Sequence, residues 1–198
     1  MIAIISPAKK LDNQSTVQTS QYTYPDMLTQ ANQLIKELRK FAPSDLEKLM
    51  NISPQIAKQN YERFFRWNPD DHKEGKQALF LFNGQVYAGL NAPSLGEDDI
   101  SFAQDHLRIL SGLYGVLKPL DLILPYRLEM GTKLPNPEGD NLYEFWGTKI
   151  TQKLNESLKQ EKNPILINLA SQEYFKSIDR KSIEGKIISP VFKENKGN

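Results

Sequence analysis

Two kinds of residue in this 198-residue chain could do chemistry. One is glycine placed where a backbone must come close to something, and the other is a cation placed to meet an anion. Both occur in residues 109–131, ILSGLYGVLKPLDLILPYRLEMG. Ser111, Gly112, Leu113, Tyr114 and Gly115 read as the turn of a helix-hairpin-helix element, in which backbone amides face a phosphate as they do at helix N-termini. Lys118 adds a point charge, and Arg127 offers the planar fork that grips a phosphate in two places. The two glycines stand one residue further apart than in the commoner Gly-apolar-Gly hairpin. A helix ending at Gly112 followed by an ordinary turn is the alternative, and an internal ion pair with Glu129 is the alternative for Arg127. The block contains no paired nucleophile and base, so it points to binding before catalysis.

A second set lies at predicted strand ends. Ser6, Lys9 and Lys10 follow the apolar run IAII at the N-terminus, where α/β proteins place ligand loops. The glycines of a phosphate-binding Walker loop are missing there. Lys9 and Lys10 are candidate anion contacts, with a solvated surface pair as the bland reading. Asn168 and Ser171, with Glu173 and Tyr174, sit where a strand gives way to a helix; with Ser6 they form a possible ligand pocket, although capping by Ser171 also explains the pattern. His72 and His106 stand apart and make neither a catalytic triad nor a metal site. No catalytic residue, metal or cofactor is assigned. Phe145 and Trp146 read as core.

The rest of the chain must position these groups. Apolar content of 39% and charged content of 25% describe an ordinary globular protein. Net charge is +1, divided as −1 over residues 1–99 and +2 over 100–198, unlike a strongly basic nucleic-acid binder. An anion site must therefore come from folding that gathers cations on one face. With no cysteine there are no disulfides and no thiolate metal sites, and a cytoplasmic location is the default. No apolar run approaches the ~20 residues needed to span a bilayer.

Pattern predicts a strand over residues 2–5, then a polar loop over 12–23. A helix follows Pro25, a second is capped by Ser44 with Glu47, and a third is opened by Ser53 and Pro54. Asn83-Gly84 predicts a β-hairpin between residues 78–82 and 86–88. Further helices are expected from Ser94 to about Leu110 and over 142–158, with strands over 164–169 and 187–192. Glu97, Asp98 and Asp99 fill a helix's first turn. The fold class is α/β (mixed α+β): one domain over 1–198, a mixed sheet with surrounding helices. The final six residues read as a turn with no strand after it, either because a return strand is missing or because they form a frayed tail.

Four segments together resemble the YaaA family of bacterial peroxide-stress proteins: IISPAKKLD, LGEDDISFAQDHLRILSGLYGVLKPLDLILPYRLEMG, NLYEFWG and INLASQEYFKSI. They are long, ordered and spread over nearly the whole chain. The resemblance implies a cytosolic protein that limits intracellular iron and peroxide damage. It also implies a DNA-binding fold with a helix-hairpin-helix, placed by matching position on residues 110–120, and a basic cleft fed by Lys9, Lys10 and Arg127. Members of the family continue with a return strand and a basic segment, so the chain is expected to lack both. The expected partner is DNA, duplex or distorted, held through backbone and shape with little base readout. The rival reading is an enzyme acting on a nucleotide or another phosphorylated small molecule in the same cleft; a third is an interaction scaffold.

Overall fold

The computed structural model of the chain describes residues 1–14, 17 and 19–192, with His72 and Lys73 described by their backbone alone. The elements in chain order begin with β1 (Ile2–Ile5), β2 (Lys10–Leu11), α1 (Leu28–Leu38), α2 (Pro43–Met50) and α3 (Pro54–Arg66). Next come β3 (Lys76–Gln77), α4 (Ala78–Leu81), β4 (Phe82–Asn83), α5 (Gln85–Leu90) and α6 (Glu97–His106). Three strands follow, β5 (Leu107–Ser111), β6 (Gly115–Leu117) and β7 (Leu122–Ile123). The chain closes with α7 (Leu142–Trp146), α8 (Lys149–Leu158), β8 (Ile165–Asn168), α9 (Gln172–Phe175) and β9 (Lys186–Ile188).

β1 is apolar without alternation, and Ile2, Ile4 and Ile5 are all buried. That is the signature of a strand covered on both faces. It takes the centre of a five-stranded sheet of order β6-β5-β1-β8-β9. β5 and β8 flank it in parallel, with Ile5 opposite Ile109 and Ile4 opposite Asn168. β9 extends the sheet in parallel beyond β8, and β6 closes the other edge antiparallel to β5. The mixed α/β class expected from the sequence is the one observed.

The helices obey their apolar stripes. Ala31, Leu34, Ile35 and Leu38 of α1 are fully buried, as are Ile150, Leu154 and Leu158 of α8. Asn141 caps α7 by accepting from the Glu144 amide, and Gly147, at φ +47°, ends that helix before α8 begins. The single helix expected over 142–158 is therefore two. α2 and α3 form a pair of short helices joined by Asn51, Ile52 and Ser53. Asn51 adopts the left-handed conformation at φ 50°, and Ser53 Oγ accepts from the Ile56 amide at 3.4 Å.

Other expectations give way to tertiary pairing. The Asn83-Gly84 hairpin does not form. A type I′ turn needs positive φ at both central residues, whereas Gly84 is extended at φ −157° and starts α5. Phe82 and Asn83 pair instead with Leu11 and Lys10. The helix expected to reach Leu110 stops at His106 because Leu107 to Ile109 pair with Ala3 to Ile5. Its N-terminus is Gly96, whose amide donates to Asp99, and not Ser94; the acidic first turn is as expected. α2 starts after Ala42, whose amide donates to Asp45, so Ser44 and Glu47 form no capping box. The final strand is shorter than expected, at Lys186–Ile188. The expected terminal turn falls on residues 193–198, outside the described residues.

The helix-hairpin-helix expected over residues 110–120 is absent. Residues before and after the turn are strands: Ser111 pairs with Gly115, Leu110 with Val116 and Ile109 with Leu117. The sheet edge claims both arms, leaving Gly112, Leu113 and Tyr114 as a tight connection inside the molecule. Leu113 and Tyr114 are fully buried.

Candidate functional site

The sheet order creates a crevice at one place. The chain leaves β1 and crosses to β5 on one side, whereas it leaves β8 toward β9 on the other. Loops that diverge from the carboxyl ends of neighbouring parallel strands leave a gap between them, the usual ligand position in such sheets. Ser6 follows β1 and Ser171 follows β8, and they meet across this gap. The Ser171 amide donates to Ser6 Oγ at 2.9 Å, and the two hydroxyls stand 3.3 Å apart. Tyr87 donates its hydroxyl to the Ser6 carbonyl at 2.9 Å, fixing the loop from below.

Over this junction lies a cavity of about 200 Å³. Phe82, Tyr126 and Tyr174 contribute aromatic wall, and Lys9, Arg127, Glu129 and Glu173 contribute charge. Glu129 holds both cations, one through each oxygen: Lys9 Nζ at 3.0 Å and Arg127 Nη2 at 3.0 Å. The ion pair offered as the alternative for Arg127 is thus present. Glu173 accepts from the Gly131 amide at 2.8 Å. Burial pushes the Tyr126 and Tyr174 hydroxyls well above the usual phenol range, so both rings are neutral.

A second concavity of about 280 Å³ adjoins the first and shares Lys9 and Arg127 with it. Here Lys10 and Arg63 join them, and among the described residues no acidic one lines the wall. Arg63 has no carboxylate partner among the described residues; burial lowers its affinity for the proton, yet a guanidinium keeps its charge. Two polar atoms of these residues, Arg127 Nε and Asn60 Oδ1, are buried with no hydrogen-bond partner among the described residues. Ile56, Gln59, Asn60 and Arg63 reach the wall from α3 at i, i+3, i+4 and i+7, one face of the helix.

The fold therefore unites Ser6, Lys9, Arg127 and Ser171 around the first cavity, and Lys9, Lys10 and Arg127 around the second. It separates the others. Asn168 turns to a different hollow, where it donates to Ser189 and accepts from the Ala170 amide. Lys118 is paired with Asp26 at 3.4 Å and lines neither concavity. Ser111 accepts from the Tyr114 amide and bonds the Tyr126 hydroxyl at 2.6 Å, both inside the core. Gly112 and Gly115 approach protein and not ligand: a Cβ on Gly112 would collide with the Leu128 carbonyl oxygen, and one on Gly115 would meet the Met27 sulfur at 2.7 Å. Sequence reading missed Asn60 and Arg63. The signal was the polar flank of the α3 stripe, where Asn60 falls among apolar positions.

Among the described residues no helix is long and apolar enough to cross a membrane, and no group of three or more His, Asp or Glu is placed to hold a metal. Residues 1–198 match the family described as peroxide stress protein YaaA. A UPF0246 protein of Shewanella baltica strain OS155 is 53% identical over 197 residues, which span 99% of this chain and 77% of that protein. A UPF0246 protein of Shewanella woodyi is 52% identical with the same coverage. The fold and the match along its whole length lead to one conclusion: the chain belongs to the peroxide stress protein YaaA family.

Proposed function

We propose that this protein binds DNA through its phosphate backbone, as its part in the peroxide-stress role of the family. One observation carries the reading: Lys10 and Arg63, with no carboxylate partner among the described residues, line one concavity together with Lys9 and Arg127, which Glu129 holds from the adjoining cavity. On a chain of net charge +1 such a wall is a local device for an anion. The helical hairpin that the resemblance implies is assigned to α2 and α3 in place of residues 110–120. Their connecting residues Asn51 and Ser53 are exposed, and α3 itself supplies Asn60 and Arg63 to the cationic wall. A duplex lying along α3 would meet the hairpin turn and the wall together, with contacts that position backbone and carry little sequence information. The wider expectation, a lowered burden of intracellular iron and peroxide damage, is proposed for the family role as a whole and is attached to no side chain named here.

The test is duplex binding by the full chain at low salt. Arg63→Glu and Lys10→Glu should each weaken binding by about ten-fold or more on unrelated sequences, because each replaces an attraction to phosphate with a repulsion. Lys118→Ala should leave it intact. Equal loss in all three, or no binding by the unaltered chain, contradicts the assignment.

A second reading, an enzyme or binder acting on a phosphorylated small molecule, is favoured by the cavity beside Ser6 and Ser171. That cavity and the cationic wall share two side chains, so the two readings concern one continuous site.

A further inference from the structure

The two adjoining concavities differ in charge. Lys9 and Arg127 in the first are cancelled by Glu129 and Glu173, and its aromatic lining is neutral. The second shares that held pair and adds Lys10 and Arg63, neither of which has a carboxylate partner among the described residues. A phosphate gains nothing from the first and a great deal from the second. A neutral ring system has the opposite preference. Only a ligand that is planar and uncharged at one end and anionic at the other satisfies both.

Size agrees. Drug-sized ligands fill pockets of roughly 300–1,000 Å³, so the first cavity, at about 200 Å³, is suited to one planar heterocycle and not to a larger body. Its shape is set by rings that cannot turn to solvent. Phe82 and Tyr126 meet edge to face at 6.3 Å, Tyr126 is tied to Ser111, and the Tyr174 ring is buried. The polar side chains that line the cavity include acceptors, the two carboxylates and the Ser6 and Ser171 hydroxyls, and donors, Lys9 and Arg127 held by Glu129. They suit a ring edge that carries both donors and acceptors.

We infer that the two concavities together seat a single nucleotide unit, its base in the aromatic cavity beside Ser6 and Ser171 and its phosphate on the wall of Lys10, Arg63 and Arg127. The base is either extruded from bound DNA or part of a free nucleotide; the first source rests on the DNA-binding reading above, and the second does not. Proteins that take up an extruded base use this division, with aromatic and polar walls around the base and cations on the flanking backbone.

Two titrations of the full chain test the inference. In the first, a duplex carries one 2-aminopurine opposite an abasic position, and its emission is read with the DNA saturated by protein. Capture of the base should change emission by at least about two-fold, and Ser171→Phe, which fills the cavity from an exposed position, should abolish the change, as should the milder Ala8→Leu. An emission change that survives both substitutions, or no change on saturated DNA, removes DNA as the source. In the second, deoxyguanylate, deoxyguanosine and inorganic phosphate are titrated separately. Deoxyguanylate binding that exceeds both fragments and falls about ten-fold in Ser171→Phe and in Arg63→Glu supports a free nucleotide as the occupant. If no duplex binds at low salt, the DNA reading fails while this second titration still decides the seat. Deoxyguanylate no tighter than inorganic phosphate, together with a silent 2-aminopurine, overturns the inference.

Discussion

Gly112 and Gly115 are required for different physical reasons, and both are structural. Gly115 has φ +69° and stands where a Cβ would also press on the Trp146 ring at 2.8 Å. Gly112 abuts backbone that cannot move aside, and its carbonyl accepts from Trp146 Nε1 at 3.0 Å. Gly115→Ala should therefore destabilise the protein by about 2 kcal/mol or more, from backbone strain and overpacking together, which lowers the melting temperature by roughly 4–8 °C at this chain length. Thermal unfolding checks this. A normal melting temperature with lost DNA binding would instead restore the hairpin-contact role to residues 111–115. Tyr114 belongs to the same unit: its hydroxyl accepts from Trp67 Nε1 at 2.9 Å and from the Leu124 amide at 3.2 Å. Tyr114→Phe should cost about 1–3 kcal/mol in urea unfolding, because it withdraws the acceptor from both donors. The sequence showed that these glycines mark close approach, but not what is approached. Glycine is needed equally against a phosphate and against another strand, and the partner here, the Leu128 backbone, lies 16 positions away.

At the level of elements, α3 connects the core to the site. Ala57, Asn60 and Phe64 are buried, while Arg63 reaches the wall of the cleft. The helix itself was legible from Ser53, Pro54 and its stripe. Its function was not, because the cations it meets come from residues 9–10 and 127, which only the completed sheet brings near. The errors over residues 78–88 and 107–110 have the same source. Local turn and helix signals lost to strand pairing with β2 and β1, and β-pairing partners cannot be read from one segment alone. A different element-level contact controls pH behaviour. Asp26, just before α1, meets Lys153 of α8 at 2.9 Å and Lys118 beyond β6 at 3.4 Å. Burial alone would raise its carboxyl, but the Lys153 hydrogen bond and the two positive charges outweigh it and hold Asp26 below the usual carboxylate range. A lowered carboxylate stabilises the fold above about pH 4 and loses that contribution as the pH falls through its folded value. The stability gap between the unaltered protein and Asp26→Asn should thus be largest near neutrality and close toward pH 3 in urea unfolding; a gap that widens in acid contradicts this ion triad. Asp121 acts with the opposite sign, since burial raises its carboxyl despite hydrogen bonds from Thr23 and the Lys118 amide. The comparison of variants, and not the overall acid curve, isolates Asp26.

At the scale of the whole molecule, function rests on distribution of charge and not on its total. A net charge of +1 excludes a surface that attracts nucleic acid everywhere. The fold brings Lys10 and Arg63 to one wall and neutralises others, as Glu129 does for Lys9 and Arg127 and Asp26 for Lys118 and Lys153. The mixed sheet was legible because its central strand is short, apolar and bounded by turn residues, and Ser6 and Ser171 were legible as strand-end residues. Which cations would share a wall was not, since that depends on the crossover that carries the chain from β1 through α1 to α6 before it reaches β5. The most direct test of the account is the salt dependence of duplex binding by the full chain and by Arg63→Glu. The account predicts that log K falls linearly with log salt between about 50 and 200 mM, and that Arg63→Glu makes the slope shallower by about one. Duplex binding that is independent of salt, or a slope unchanged in Arg63→Glu, would contradict it.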